Sequence, residues 1–243
     1  MKESFERQRL SFGVAADAYD RIRPSYPKRA LEWALGPAPV KVVDLGAGTG
    51  LLTQVLAGLG HEVTAVEPDP KMREKLAERL PGAVVVAGSA EEIPLADGGV
   101  DAVVAGQAYH WFDPEPAHAE IARVLRPGGM FAPLWNLRDE SVGWVAELTR
   151  LVAKYRNRPD VDGRLPDRPF GEMFGPVERL EVTHSRPHTA ASLLELIRSR
   201  SWCLTATEER RREIEDAVRK LTAELPGTFD LPYVTRIYRA HRL

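Results

Sequence analysis

The sequence predicts an α/β fold built on an open, doubly wound sheet, and three observations carry that expectation. Short apolar runs alternate with helical patterns along the chain, the order of elements that makes βαβ units. In the first run Val40, Val42, Val43 and Leu45 are apolar toward both faces, as a strand buried between two helical layers must be. That run ends in Asp44-Leu45-Gly46-Ala47-Gly48-Thr49-Gly50 and turns straight into a helix. Three alternate glycines therefore stand at a strand-to-helix junction, where such a sheet binds ligands in the crevice beyond its strand ends.

In chain order, residues 1–36 precede the first strand. Phe12, Ala15, Ala16, Tyr19 and Ile22 lead to Arg23-Pro24-Ser25-Tyr26-Pro27 and then to a short amphipathic helix through Leu31, Trp33, Ala34 and Leu35, together a cap rather than a sheet element. After the glycines, Leu51, Leu52, Val55, Leu56 and Leu59 recur at helical spacing until Gly60. A second strand at 63–66 ends at Glu67; Asp69 and Pro70 then suit the N-cap and first position of a helix whose buried stripe is Met72, Leu76 and Leu80. Residues 83–87 form the third strand, and Asp97-Gly98-Gly99 turns into the fourth at 100–105. The segment from Gly106 to Asp113 follows the fourth strand's carboxyl end and so faces the crevice.

A helix at 115–125 with Ile121, Val124 and Leu125 inward is closed by Arg126-Pro127-Gly128-Gly129. The fifth strand contains Pro133, which cannot donate to a ladder, so a short strand or a bulge is expected there. Trp135 and Asn136 end it near the crevice. From Leu137 the pattern loosens: a helix carries Val145, Leu148, Leu151, Val152 and Tyr155, and the Arg-, Asp- and Pro-rich stretch 156–169 is expected to be a mobile surface loop. A strand at 177–183, a helix at 193–197 and an amphipathic helix at 208–225 follow, the last with Arg210-Arg211-Arg212 on its solvated face, and 230–240 is the last strand. One domain spanning 1–243 is expected, divided into the cap (1–36), a ligand-binding core (40–136) and a lid with the C-terminal strands (137–243).

Spacing narrows the ligand. The motif D-x-G-x-G-x-G is neither the dinucleotide fingerprint G-x-G-x-x-G nor G-x-x-x-x-G-K-S/T. Asp44 places a negative charge where a pyrophosphate is repelled and an α-ammonium group is welcome, and Glu67 stands where an acid accepts from both hydroxyls of a ribose. Glycines allow positive φ and close approach of a ligand to the backbone, so a side chain at 46 or 48 is expected to fill the ligand's space.

On these residues the chain resembles the class I S-adenosyl-L-methionine (SAM)-dependent methyltransferases, over about residues 40–136 well and more loosely at the ends. The resemblance implies a Rossmann-like seven-stranded sheet with an antiparallel last strand, a partial helical lid, and SAM as the cofactor. It places Asp44, Gly46, Ala47, Gly48 and Gly50 at the amino acid part of SAM, Glu67 with Pro68 at the ribose, and the segment after the third strand at the adenine. That segment, Gly88-Ser89-Ala90-Glu91-Glu92-Ile93-Pro94-Leu95, resembles G-D-A-x-x-L-P but carries Ser89 where an Asp usually accepts from the adenine amino group, which implies weaker anchoring through Ser89 and Ala90. Gly106-Gln107-Ala108-Tyr109-His110-Trp111-Phe112-Asp113 resembles the A-x-x-x-H-W-F/x-D segment of type 11 and trans-aconitate methyltransferase-like proteins, with Gln107 on the cofactor side. Ala16, Tyr19, Arg23, Pro24, Tyr26 and Pro27 match the same group's A-x-x-Y-x-x-x-R-P-x-Y-P, which implies that Tyr19 and Arg23 close over the methionine end of SAM and the acceptor. Two readings stand for Tyr19 and Tyr26, site or cap packing, and two for His110, a proton acceptor or substrate-orienting group against a packed wall residue.

Composition sets the outer bounds. Apolar residues are 44% and charged residues 28% of 243, ordinary for a soluble globular chain. A net charge of -2 with Lys and Arg dispersed predicts no general attraction to nucleic acid or membrane. The polar start Met1-Lys2-Glu3-Ser4 and the lack of a long apolar run give a cytoplasmic expectation, as monomer or homodimer. Cys203 is the single cysteine, which excludes an internal disulfide and a cysteine-rich zinc site, and no metal is expected.

Methyl transfer from a sulfonium is an in-line displacement, in which positioning alone supplies on the order of 7–11 kcal/mol. A carboxylate acceptor needs no base, whereas a phenol, amine or alcohol has use for His110. The favoured acceptor is a small molecule, with a carboxylic acid suggested and Arg198 or Arg200 as its grip; arginines at i and i+2 point apart on a helix, so at most one of the two serves. The alternatives are a SAM-binding regulatory protein without catalysis, which the motifs leave open, and an NAD-dependent oxidoreductase, which Asp44 and the glycine spacing disfavour.

Overall fold

The computed structural model describes residues 22–155, 163, 165 and 170–243. Tyr19 with the rest of residues 1–21, and nearly all of the 156–169 stretch, lie outside the described residues. The elements run α1 (Lys28–Leu35), β1 (Lys41–Leu45), α2 (Leu51–Gly58), β2 (Glu62–Val66), α3 (Pro70–Arg79), β3 (Val84–Val86), β4 (Val100–Gly106), α4 (Pro114–Val124), β5 (Leu125–Arg138), α5 (Gly143–Ala153), β6 (Glu178–His188), α6 (Ala190–Arg198), α7 (Ser201–Leu204), α8 (Glu208–Thr222) and β7 (Phe229–His241).

The strands form a seven-stranded sheet in the order β3-β2-β1-β4-β5-β7-β6. β1 is parallel to β2 and β4, β2 to β3, and β4 to β5. The last strand is antiparallel: Arg242 N–H donates to the Gly129 carbonyl at 2.8 Å and Asp139 N–H to the Pro232 carbonyl at 3.0 Å, so β7 descends as β5 advances. The order reverses between β1 and β4, which makes the carboxyl ends of those two strands the ligand-binding crevice of the sheet.

Local chemistry explains the boundaries that position the crevice. Asp69 is the N-cap of α3, its Oδ1 accepting from Lys71 N–H at 2.8 Å and Met72 N–H at 3.2 Å, with Pro70 at the first turn where its missing N–H costs nothing. Gly60, at φ 88°, follows the end of α2. The expectation about Pro133 fails: β5 runs through it in register with Ala105, and the irregularity lies at its start, between the pairs Val100–Leu125 and Ala102–Met130. With neighbours on both sides of β5, the loss of one donor, worth about 1 kcal/mol, is outweighed.

The chain divides into two compact units, one of Ser25–Asn136, Gly163–Val182 and Thr235–Leu243, the other of Met1–Pro24, Leu137–Asp162 and Thr183–Val234. The first, the core unit, buries Val42, Leu52, Leu56, Val104, Leu134 and Ile237 around α1 and the middle of the sheet. The second has its own core of Val145, Leu148, Val152, Leu193, Ile197, Ile214, Val218 and Tyr233, so α5, α6 and α8 share one apolar interior. No described helix is long and apolar enough to cross a membrane.

Candidate functional site

The glycine loop is strapped to the end of β2: Gly46 and Ala47 N–H both donate to the Val66 carbonyl, at 2.8 and 3.2 Å. Gly46, Gly48 and Gly50 have φ of 71°, 57° and 85°, a region other residues rarely adopt. They are not equivalent. A Cβ at Gly46 would stand 2.7 Å from the Ala108 Cβ, and one at Gly50 2.8 Å from Leu76 Cγ, whereas one at Gly48 meets nothing within 4 Å. The expectation that a side chain at 46 fills ligand space is therefore corrected: Gly46 and Gly50 let the loop pack on its neighbours, and Gly48 alone presents open backbone.

Asp44, at the end of β1, is 1% exposed. The Thr53 hydroxyl donates to its Oδ2 at 2.7 Å, while Oδ1 has no partner. Burial, reinforced by the charge of Glu67 and opposed by the Thr53 bond, pushes its pKa up to about 7. An orphaned buried carboxylate oxygen fits a charged donor such as an α-ammonium group, which would relieve the cost of burial. Glu67 is 7% exposed and braces the loop, its Oε2 accepting from Gly48 N–H and its Oε1 from Asp69 N–H, both at 2.9 Å. Burial raises its pKa and these two bonds work against that. Each carboxylate oxygen accepts more than one bond, so the brace and a ribose contact are compatible. Arg73 Nη1 donates to the Pro68 carbonyl at 2.7 Å and the Glu67 carbonyl at 2.8 Å, fixing the corner from α3.

The segment after β3 is also fixed. Ser89 Oγ accepts from Glu91 N–H at 3.3 Å, and Ala90 is buried. Arg123 of α4 latches the far end, donating to the carbonyls of Ile93 and Leu95, each at 2.8 Å, while it pairs with Asp97 and Glu120. Glu91 Oε1 accepts from Asp113 N–H at 2.9 Å, joining this segment to the one that follows β4.

At the end of β4, Gln107 has a φ of 56°, the one described non-glycine residue with positive φ. Its N–H donates to the Leu134 carbonyl and its Nε2 to the Asn136 carbonyl, both at 2.9 Å. Asn136 in turn donates from Nδ2 to the Ser25 carbonyl at 3.2 Å and accepts the Thr235 hydroxyl at 2.5 Å. Such a strained backbone persists only where the surroundings over-determine it, commonly at a site. His110 follows in a single 3₁₀ turn, Tyr109–Trp111, its ring 5.0 Å from that of Trp111. Its Nδ1 is shielded and has no partner, and burial pushes its pKa down to about 4. Beside it the Tyr109 hydroxyl is 2.9 Å from His118 Nε2, and Tyr109 packs against Phe131 and Phe170.

With that geometry in view, the comparisons decide the family. Residues 43–132, the loop and the strands that frame it, match the methyltransferase domain model named Methyltransf_11. An uncharacterized methyltransferase of Mycobacterium tuberculosis is 45% identical over 236 residues, covering 95% of each chain. The chain is a class I SAM-dependent methyltransferase. A further uncharacterized methyltransferase-like relative from Schizosaccharomyces pombe is 32% identical over 91% of this chain and 89% of its own. Among solved structures, one assigned provisionally as a type II methyltransferase from Anaeromyxobacter dehalogenans is 27% identical, covers 90% of this chain and 97% of that one, and superposes with a TM-score of 0.67. The cofactor of this methyltransferase is SAM, and the chain is an enzyme.

Within this methyltransferase the core unit holds Asp44 at the end of β1, and Gly46, Ala47, Gly48, Gly50, Glu67, Pro68, Ser89, Ala90, Gln107 and His110 on the segments that follow β1 to β4. Arg23 belongs to the other unit; it is 8% exposed, with Nη2 3.3 Å from the Ser199 carbonyl and 3.4 Å from the Ser199 hydroxyl. Of the two arginines suggested as a carboxylate grip, Arg198 is committed to Glu215 at 2.6 Å on a half-exposed surface. Sequence reasoning missed the Arg123 latch and the Asn136 hub. The carbonyls of Ile93 and Leu95 that Arg123 reaches, and the Ser25, Gln107 and Thr235 groups that meet at Asn136, are remote in sequence and leave no local pattern.

Proposed function

We propose that this methyltransferase transfers the methyl group of SAM to a carboxylate oxygen of a small organic acid. The observation that carries this reading is the state of His110: its buried Nδ1 has no hydrogen-bonded acid or carbonyl to orient it for proton transfer, and burial pushes its pKa down to about 4, away from the range a general base needs. A phenol or alcohol acceptor must lose a proton to a base, whereas a carboxylate arrives as a competent nucleophile. The reading gains support from a malonyl-[acyl-carrier protein] O-methyltransferase of Methylococcus capsulatus, 36% identical over 51% of this chain and 49% of its own. It also fits two surface arginines of α8, Arg212 and Arg219, which are paired with the acids Glu208 and Asp216.

In this reading Asp44 Oδ1 accepts from the α-ammonium of SAM, with Gly46, Ala47, Gly48 and Gly50 under its amino acid part. Glu67 and Pro68 stand at the ribose, Ser89 and Ala90 at the adenine, and Gln107 on the cofactor side of the β4 end. SAM supplies an electrophilic methyl on a sulfonium, and the protein's work is to hold the acceptor in line with it. His110, neutral at physiological pH, orients the acceptor as a wall and hydrogen-bonding group, so its variants lose turnover more than SAM affinity.

The test is a turnover assay of the purified protein against small carboxylic acids, phenols and bulk tRNA. Ester formation on an acid is the expected outcome. Methylation confined to phenols, or to tRNA, would contradict the reading.

A further inference from the structure

The turn Tyr109–Trp111 that carries His110 is three residues long and has no side-chain cap. It rests on backbone bonds from Trp111 N–H to the Ala108 carbonyl at 2.8 Å and from Phe112 N–H to the Tyr109 carbonyl at 3.1 Å. In so short a piece of helix, tertiary contacts decide the direction. The flanks of the turn lie on the glycine loop, since a Cβ at Gly46 would stand 2.7 Å from the Ala108 Cβ and 3.8 Å from Phe112 Cε1. Behind the turn, Glu91 holds Asp113 N–H, and α4 begins with no side-chain cap bond from Asp113. An elbow is thus left between the turn and α4.

One side-chain bond spans that elbow. The Tyr109 hydroxyl lies 2.9 Å from Nε2 of His118, which is 6% exposed on the buried face of α4. The Tyr109 ring is stacked on His118 at 5.8 Å and stands edge-on to Phe112, Trp135 and Phe170 at 5.8, 6.0 and 5.8 Å. All of these residues belong to the core unit. Burial favours the neutral form of both groups, so the bond joins two uncharged partners. A Phe and a Leu would fill the same space without any polar atom; what the pair adds is a unique geometry, which packing alone does not specify. Adjacent residues in a 3₁₀ turn are about 120° apart, so fixing the side chain of Tyr109 fixes the direction in which His110 leaves the turn.

We propose that His118 is a positioning residue for methyl transfer: through the Tyr109 hydroxyl it keeps the elbow at one angle and so keeps His110 in one place beside the acceptor. The consequence for turnover rests on His110 as the group that orients the acceptor; the hold on His110 itself does not. A displacement of about 1 Å, passed on from a residue that never touches the reacting atoms, is enough to cost roughly a hundredfold in rate.

Heteronuclear NMR of the full chain labelled in its histidines reads the His110 ring without any turnover, its signals being assigned by their loss in His110→Gln. Tyr109→Phe, which keeps the ring, and His118→Leu should each move the His110 signals. Each should also lower kcat/KM for the acid methylated in the assay above by roughly tenfold to a hundredfold, with SAM affinity by calorimetry unchanged. The double variant should be no worse than either single one, since both remove the same bond. His118→Gln, whose amide can stand where Nε2 does, should restore most of the loss. Phe174 packs on Phe131 at 5.9 Å and on Phe170 at 6.0 Å, so Phe174→Leu loosens the same aromatic cluster while the Tyr109–His118 bond stays. It should lower stability and leave the His110 signals in place. Unmoved signals in Tyr109→Phe and His118→Leu overturn the proposal, as does equal movement in Phe174→Leu or a His118→Gln protein no better than His118→Leu. Signals that move while turnover of the acid is unchanged, or while no acid is methylated at all, sustain the hold on His110 and overturn the reading of its role.

Discussion

Replacing Asp44 by Asn separates the cost of the buried carboxylate from its use. Its pKa of about 7 in the fold, against 3.8 in an unfolded chain, means that the folded state holds a proton there which the unfolded state has already released. Because the folded value is raised, the stability lost to this group begins above pH 3.8 and is complete above about 7. The rise from 3.8 to about 7 corresponds to roughly 4 kcal/mol, part of it already present at pH 5. Asn keeps an oxygen for the Thr53 hydroxyl and has no charge to bury, so the cofactor-free Asp44→Asn protein should be more stable than wild type, with the gain growing by roughly 2–3 kcal/mol between pH 5 and pH 8. Denaturant unfolding of both proteins at the two pH values measures this directly, and the contributions of the buried histidines cancel in the difference. A gain that is the same at both pH values, or a variant less stable at pH 8, would refute the account of Asp44 as an uncompensated buried acid.

The glycines should divide by what surrounds them. Gly46→Ala meets Ala108 at 2.7 Å and should lower stability by roughly 1–3 kcal/mol, whereas Gly48→Ala, in open space, should cost about 1 kcal/mol of backbone strain and mainly weaken SAM binding; thermal unfolding and calorimetry on both would show the reasoning wrong if the order were reversed. His110→Gln should leave the pH dependence of turnover between pH 6 and 8 unaltered, since a group with a pKa near 4 does not titrate there, and loss of an ionisation near 6.5 from the wild-type profile would contradict its assignment as a neutral wall.

The parts of the fold that were legible in the sequence are those whose cause is local. The Asp69-Pro70 helix start, the positive-φ glycines and the apolar first strand each follow from the residues at hand, and the structure places them where that chemistry put them. The course of β5 through Pro133 was misjudged because what sustains it is pairing on both sides, a property of the assembled sheet. Asp44 and Glu67 could be singled out by spacing, but not that Glu67 also carries Gly48, since that bond exists only once β1 and β2 are adjacent. The strain at Gln107 and the hub at Asn136 were invisible for the same reason.

The account turns most on the orientation of SAM, with its amino acid end at Asp44. Calorimetry of SAM and of 5′-methylthioadenosine, which lacks the amino acid part, against wild type and Asp44→Asn at pH 8 tests that orientation most directly. The account predicts that the variant loses roughly 1.5–3 kcal/mol of SAM affinity, the worth of a hydrogen bond between charged groups, and none of its affinity for methylthioadenosine. Equal losses for the two ligands, or none for SAM, would contradict it.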